Sequence, residues 1–248
     1  MILYDKEFYA FRFASAHMVD LDWGGGCWTV VCRHDDALIA LIDHVTEIQE
    51  KFPDHGVCLC SGARRTFRHD VWPEYKANRK DRRRPPGYGE FLKGINAAAK
   101  ERGWHLSGSD NLEGDDLLGL MATPQDIIVS GDKDMMTLPG QHYKEAEVIK
   151  VTKWEADVAF YKQTLVGDSA DNYPGCPGIG DKNKLFRSRD WLTARSERDL
   201  WACVLGAFLK AGLTEQDAVT QARCARILRT GEYDIERKIP VLWSPPLT

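Results

Sequence analysis

Eight carboxylates stand in four tight groups along the chain: Asp5; Glu113, Asp115 and Asp116; Asp132 and Asp134; Asp168 and Asp171. Acids this dense repel one another unless cations neutralise them. Hard oxygen donors that leave room for waters and a substrate phosphate suit Mg²⁺. Two such ions about 4 Å apart can activate a water and stabilise a leaving 3′-oxygen. The pattern points to a divalent-metal phosphodiesterase. Any one of these acids, Asp5 above all, has an ordinary alternative as a helix cap or solvated loop acid. The E-x-D-D and D-x-D groups taken jointly favour the metal.

The elements that must position these acids can be read around them. Ile2-Leu3-Tyr4 is a short apolar run ending at Asp5. Val57-Cys58-Leu59-Cys60 is a continuous apolar run, as expected of a strand buried on both faces. Residues 126–130 read as another strand, with Ile127-Ile128-Val129 at its centre, which ends at Gly131-Asp132. Glu113, Asp115 and Asp116 open a helix predicted over 112–122, where the positive end of the dipole tolerates carboxylates. Active sites of open parallel sheets gather at the carboxyl ends of the strands, and three of the four acidic groups border predicted strands. Further strands are expected over 104–106 and 147–151. Further helices are expected over 37–52, 91–102, 154–166, 181–186, 198–211 and 215–229. Strands alternating with helices predict an α/β fold with a mostly parallel central sheet. The expected division is an α/β core over 1–152, including a basic segment at 64–88, and a helical nucleic-acid-binding region over 153–248.

The net charge is −4, which alone would not suggest a polyanion, but the charge is segregated. Between Arg64 and Arg84 there are nine Lys or Arg against three acids. A basic patch beside an acidic pocket suits a polyanion gripped by one and cut at metals held by the other. Within it Tyr75, Lys76, Arg79, Lys80, Arg82, Arg83 and Arg84 combine cations for phosphates with an aromatic face for an unpaired base. Lys76, Arg79 and Lys80 are expected on one helix face, and Arg68 on the same basic surface. A second signal follows Asp168 and Asp171. Pro174-Gly175-Cys176-Pro177-Gly178-Ile179-Gly180-Asp181-Lys182 reads as a helix–hairpin–helix, within a motif around 165–186. Glycines such as Gly178 and Gly180 let backbone approach a phosphate, the following helix offers free N–H groups, and Lys182 and Lys184 add charge. The alternatives are a solvated charge run and an ordinary glycine-rich loop.

Seven cysteines, odd in number and without paired zinc-knuckle spacing, are expected to be reduced. No apolar stretch approaches membrane-spanning length, so no membrane partner is expected. The first residues read as a strand, not a secretion signal. The expected location is the cytoplasm.

Together these residues resemble the flap-endonuclease-like 5′-nuclease family, which includes the 5′-nuclease domain of bacterial DNA polymerase I. The likeness is greatest to the compact phage-encoded 5′→3′ exonucleases. It is carried by Ile2–Asp5 and residues 73–79, 112–118, 129–138, 165–182 and 225–243. The resemblance implies a parallel sheet of the PIN/5′-nuclease type, a helical arch and a helix-based duplex-binding region. It implies Mg²⁺ or Mn²⁺, as two ions, held by Asp5, Glu113, Asp115, Asp116, Asp132, Asp134, Asp168 and Asp171, and it leaves room for K⁺ at the hairpin. Lys76 and Arg79 would contact the scissile phosphate at the base of the arch, beside catalytic Asp5, Asp115 and Asp132. The implied reaction leaves 5′-phosphates on DNA with 5′ ends or flaps, and extends to RNA–DNA hybrids and replication-protein partners in a phage-infected host cytoplasm. Two positions depart from the family pattern: Ser61 stands where an aspartate is usual, and Lys6 rather than glycine follows Asp5. Two other readings remain open, a PIN-like ribonuclease and a non-catalytic structure-specific DNA-binding protein.

Overall fold

The computed structural model describes residues 1–79 and 83–246. The chain runs through β1 (Ile2–Asp5), α1 (Lys6–Ala16), β2 (Met18–Asp22), β3 (Trp28–Cys32), α2 (His34–Lys51), β4 (Val57–Ser61) and α3 (Arg68–Val71). It continues through α4 (Tyr88–Glu101), β5 (His105–Gly108), α5 (Gly114–Met121), β6 (Ile127–Val129), β7 (Gly140–Lys144) and β8 (Glu147–Val151). The last part holds α6 (Lys153–Val166), α7 (Arg189–Thr193), α8 (Glu197–Lys210), α9 (Glu215–Ala225) and a short ribbon, β9 (Tyr233–Asp234) and β10 (Ile239–Pro240). No helix among the described residues is long and apolar enough to cross a membrane.

Two compact units emerge. The first comprises Met1–Ala63, Arg83–Lys133 and Gly140–Ile149, and the second Arg64–Arg82, Asp134–Pro139 and Lys150–Thr248. Residues 64–79 of the basic segment, expected with the α/β core, group instead with the helical unit, as does the short stretch carrying Asp134, whereas residues 83–88 stay with the first unit.

The first unit is built on a six-stranded sheet of order β5-β4-β1-β6-β7-β8. The pairs β5–β4, β4–β1, β1–β6 and β6–β7 are parallel. Residues 2–4 and 57–60, the apolar runs legible in the sequence, are almost wholly buried because helices cover both faces of the sheet centre. Ile2, Tyr4, Leu41, Val45, Leu59, Phe91, Ile95 and Val129 belong to its core. The ribbon β2–β3 is antiparallel and leaves Trp23 and Trp28 exposed.

The second unit has its own core, including Tyr75, Phe160, Tyr161, Leu165, Tyr173, Trp201, Phe208 and Trp243. Capping boxes start α6, α8 and α9, where Thr152, Ser196 and Thr214 accept from the third helical N–H. The chain departs from expectation in two places here. The helix predicted over 215–229 stops at Ala225, where Arg226 turns extended. The Cys224 and Arg226 carbonyls accept from Arg68, which satisfies groups that a longer helix would pair internally. The helix predicted over 181–186 is a turn followed by a 3₁₀ segment at Lys184–Arg187. Asn183 caps that segment by accepting from the Leu185 N–H. All seven cysteines are free, as expected.

Candidate metal centre and nucleic-acid interface

In the first unit the acids sit at the carboxyl ends of the parallel strands. Asp5 ends β1 between β4 and β6, and is 3% exposed. Its Oδ1 accepts the Phe8 N–H at 3.0 Å, so Asp5 caps α1 as well as ending the strand. Its Oδ2 accepts the Ser130 hydroxyl at 2.6 Å. The same Ser130 oxygen accepts the Asp132 N–H at 3.1 Å. Ser130 thus joins two predicted ligands without being among the predicted site residues. Its one signal in the sequence is a hydroxyl at the end of an apolar strand, just before Gly131-Asp132. Burial raises the Asp5 carboxyl to about 6, and the Asp132 charge adds to this against the Ser130 and Phe8 hydrogen bonds.

Glu113 precedes α5, and the Asp116 carboxylate accepts the Glu113 N–H at 3.0 Å. Asp116 is fully buried, whereas Glu113, Asp115 and Asp132 are half-buried. The exit of β4 passes directly under this helix start. A Cβ on Gly62 would lie 2.5 Å from Glu113 Cα and Gly114 N, so only glycine permits the approach. That places Ser61, whose hydroxyl donates to the Ser107 carbonyl at 3.4 Å, beneath the acidic helix start. Lys6, the other departure from the family pattern, is buried and donates to Asn96 Oδ1 at 3.1 Å. Burial lowers its pKa.

In the second unit Asp168 and Asp171 lie in a tight loop. Asp168 and Tyr173 exchange backbone hydrogen bonds, and Asp168 Oδ1 accepts the Ala170 N–H at 2.6 Å. Gly167 closes the loop at φ +71°, where an added Cβ would sit 2.4 Å from the Pro174 carbonyl carbon. The basic segment is laced to this loop. Asn78 Nδ2 donates to the Ser169 carbonyl, Arg79 Nε to the Ala170 carbonyl, Trp72 Nε1 to the Asn172 carbonyl, and Asn172 Nδ2 to the Glu74 carbonyl. The Asp171 carboxylate itself accepts from the Tyr75 hydroxyl at 2.7 Å and from Arg79, and lies 3.5 Å from Lys76 Nζ. Asp171 therefore orients the two predicted phosphate-contacting cations.

Three expectations change here. Tyr75 is 3% exposed, stacked on Tyr173 and edge-on to His69, so it offers no face to a nucleobase. Arg68 is 2% exposed and donates to the Cys224 and Arg226 carbonyls, which makes it a core residue rather than a phosphate contact. Lys76 and Arg79 do not share an α-helix face. Lys76 has φ 55° and residues Ala77–Arg79 form a 3₁₀ turn, because the contacts to 169–171 dictate the local path. Lys80 and Arg82 lie outside the described residues. Arg83, Arg84, Gly178, Gly180, Lys182 and Lys184 are all exposed. Gly178 and Gly180 have open space where a Cβ would stand.

Among the described residues, no group of three or more His, Cys, Asp or Glu side chains closes to metal-holding distance. The donor chemistry nonetheless fits a divalent cation. The sheet edge offers hard carboxylate oxygens, and Asp5 is a buried acid held above its ordinary pKa by burial and by Asp132. A cation is the group that would relieve both penalties.

Residues 2–167 match the family model described as 5′-3′ exonuclease, N-terminal resolvase-like domain. The chain is 29% identical over 283 residues to an exodeoxyribonuclease of Enterobacteria phage T3, covering 99% of this chain and 93% of that protein. The exonuclease of Escherichia phage T7 gives the same identity and coverage. The fold is similar to a T5 5′-exonuclease with bound zinc, at TM-score 0.61 and 14% identity over 91% of this chain and 93% of that one. It is also similar to a bacteriophage T5 flap endonuclease complexed with DNA and metal ions, at TM-score 0.57 and 16% identity over 90% and 92% of the respective chains.

Proposed function

The chain belongs to the 5′-3′ exonuclease family, and from that premise we propose that it is a divalent-metal-dependent 5′→3′ exonuclease that also removes 5′ flaps from DNA. The observation that carries this reading is the parallel-sheet edge where Asp5, Ser130 and Asp132 are joined by hydrogen bonds. Asp5, Glu113, Asp115 and Asp132, with Asp116 behind them, would hold one Mg²⁺ or Mn²⁺. Asp134, Asp168 and Asp171 would serve a second, Asp171 through lone pairs left by Tyr75 and Arg79. When bound, the ions would supply a metal-activated water and charge neutralisation at the leaving oxygen.

The chain's own residues do the rest. Ser130 orients the Asp5 carboxylate and the Asp132 backbone. Lys76 and Arg79, aimed by Asp171, stabilise charge developing on the scissile phosphate. Arg83, Arg84 and the exposed hairpin with Lys182 and Lys184 hold the DNA backbone, and K⁺ at the hairpin belongs to the same proposal. RNA in hybrids is a second substrate of the same site, and a host cytoplasm containing replication proteins is the proposed setting.

The test is cleavage of a 5′-flap duplex, labelled separately at each end, with Mg²⁺, Mn²⁺ or EDTA. Metal-dependent products at the 5′ side, abolished in Asp132→Asn, are expected. Binding without cleavage in either metal would make the chain a structure-specific DNA-binding protein, with Ser61 the lesion. Cleavage of single-stranded RNA without a duplex requirement would favour the PIN-like ribonuclease.

A further inference from the structure

The segment after α9, Arg226-Ile227-Leu228-Arg229 with Glu232, carries three charged side chains that the proposed chemistry does not use. Arg226 makes a two-pronged pair with Glu232, at 3.0 and 2.5 Å, over the ring of Phe160. Glu232 also accepts the Arg229 N–H at 3.1 Å. This fixes the backbone from which Arg229 projects. The Arg229 guanidinium then does two things. Nη1 donates to Asp157 on α6 at 2.5 Å, and Nη2 donates to the Thr137 carbonyl at 2.7 Å. Asp157 is 2% exposed and also takes Lys153, so the anchor is buried and held from both sides.

Thr137 closes the 3₁₀ turn Lys133–Thr137, which carries Asp134. Its hydroxyl donates to the Asp134 carbonyl at 2.8 Å. Thr137 is itself 4% exposed. An unbroken chain of contacts therefore runs from α6 through Asp157, Arg229 and Thr137 to the backbone of Asp134. A guanidinium is suited to this because its planar fork fixes two acceptors at a set angle, which an ammonium cannot do.

We propose that Arg229 is a positioning residue that holds the Asp134 turn in the geometry needed to ligate a divalent ion. This rests on the reading of Asp134 as a metal-holding residue. Removing groups that orient metal ligands typically changes metal affinity about 10–100-fold.

The test is titration of the full chain with Mn²⁺, following free Mn²⁺ by electron paramagnetic resonance, without substrate. Variants are Arg229→Lys, which keeps the charge and removes the fork, Asp134→Asn, and the double variant. Asp157→Asn is the second route to the same effect, should Arg229→Lys fold poorly. Phe208→Leu, a core change on α8, controls for general destabilisation. Arg229→Lys is expected to weaken binding of one Mn²⁺ about tenfold, Phe208→Leu to leave it unchanged, and the Arg229→Lys effect to vanish once Asp134 is Asn. If Asp134→Asn weakens Mn²⁺ binding and neither Arg229→Lys nor Asp157→Asn does, the positioning role is overturned while the metal reading stands. An Arg229→Lys effect that persists undiminished beside Asp134→Asn also overturns it. If Asp134→Asn itself changes nothing, Asp134 holds no ion and the metal reading of that residue falls.

Discussion

Arg68 separates a nucleic-acid contact from a structural cation, and Arg68→Met tests which it is. In the sequence it lies in a run rich in Lys and Arg, where a phosphate contact is the natural expectation. In the structure its Nε donates to the Cys224 carbonyl at 3.1 Å and its Nη2 to the Arg226 carbonyl at 2.5 Å. The guanidinium also packs 4.6 Å from the Phe67 ring centroid. Methionine matches the stem but leaves both carbonyls, at the end of α9, without this donor. A hydrogen bond from a charged donor contributes about 1.5–3 kcal/mol, so losing two costs about 3–6 kcal/mol. Relief from burying a cation offsets part of this, and the net expectation is a destabilisation of about 3 kcal/mol. For a chain of this length that is a fall in Tm of roughly 6–12 °C. The assay is a thermal melt by near-ultraviolet circular dichroism, paired with fluorescence anisotropy of a labelled 5′-flap duplex well below both melting points. Flap affinity should stay at the parent value, whereas Arg83→Ala should leave the melt alone and weaken binding. A variant that melts within about 1 kcal/mol of the parent yet binds the flap poorly would refute the assignment and return Arg68 to the DNA surface.

Three further outcomes are expected. Gly167→Ala should destabilise the second unit by about 3 kcal/mol, because an L-residue at positive φ costs about 1–2 kcal/mol and its Cβ would meet backbone that cannot yield, whereas Gly180→Ala, facing open space, should leave the melt unchanged. Lys182→Ala with Lys184→Ala should weaken DNA binding and reduce the slope of log K against log salt by about 0.9 for each phosphate no longer neutralised. The acids that cap α6, α8 and α9, namely Glu155, Asp199 and Asp217, are held below their ordinary pKa chiefly by hydrogen bonds from Thr152, from Arg195 and Ser196, and from Thr214. A depressed folded pKa means stabilisation that is complete above the unfolded pKa and disappears as pH falls through the folded value. The acid limb of the helix signal should therefore flatten in the Glu155→Gln, Asp199→Asn, Asp217→Asn triple variant, and an unchanged limb would show that these caps do not drive acid unfolding.

What the sequence makes legible is local in cause. The buried strands β1, β4 and β6 appear as apolar runs because helices on both faces leave no polar side to advertise. Asp5 and Asp132 can be placed because an acid just after such a run must lie at the strand's carboxyl end. The ribbon β2–β3 has no such signature, because its exposed Trp23, Trp28 and Leu21 mix with Asp20 and Asp22 on a surface that enters no core. Arg68 and Tyr75 mislead for the opposite reason, since nothing in a basic run marks which cation or ring will be drawn inward. Arg68 finds its partners Cys224 and Arg226 at separations of 156 and 158 positions, and Tyr75 finds Asp171 at 96.

The same distance in sequence explains why a residue's charge does not reveal its task. The family resemblance implies that Asp171 is a metal ligand, but it does not show that Tyr75, Lys76 and Arg79 converge on the carboxylate. An acid so engaged serves the cations whether or not it also serves an ion. Two substitutions divide these tasks. Tyr75→Phe removes one donor to Asp171 and leaves its charge, so it should slow cleavage modestly without altering Mn²⁺ binding. Asp171→Asn removes the charge that orients Lys76 and Arg79, so it should slow cleavage more steeply. If Asp171→Asn also weakens Mn²⁺ binding, the carboxylate does both jobs. If it does not, Asp171 belongs with the basic segment, and the second ion rests on Asp134 and Asp168.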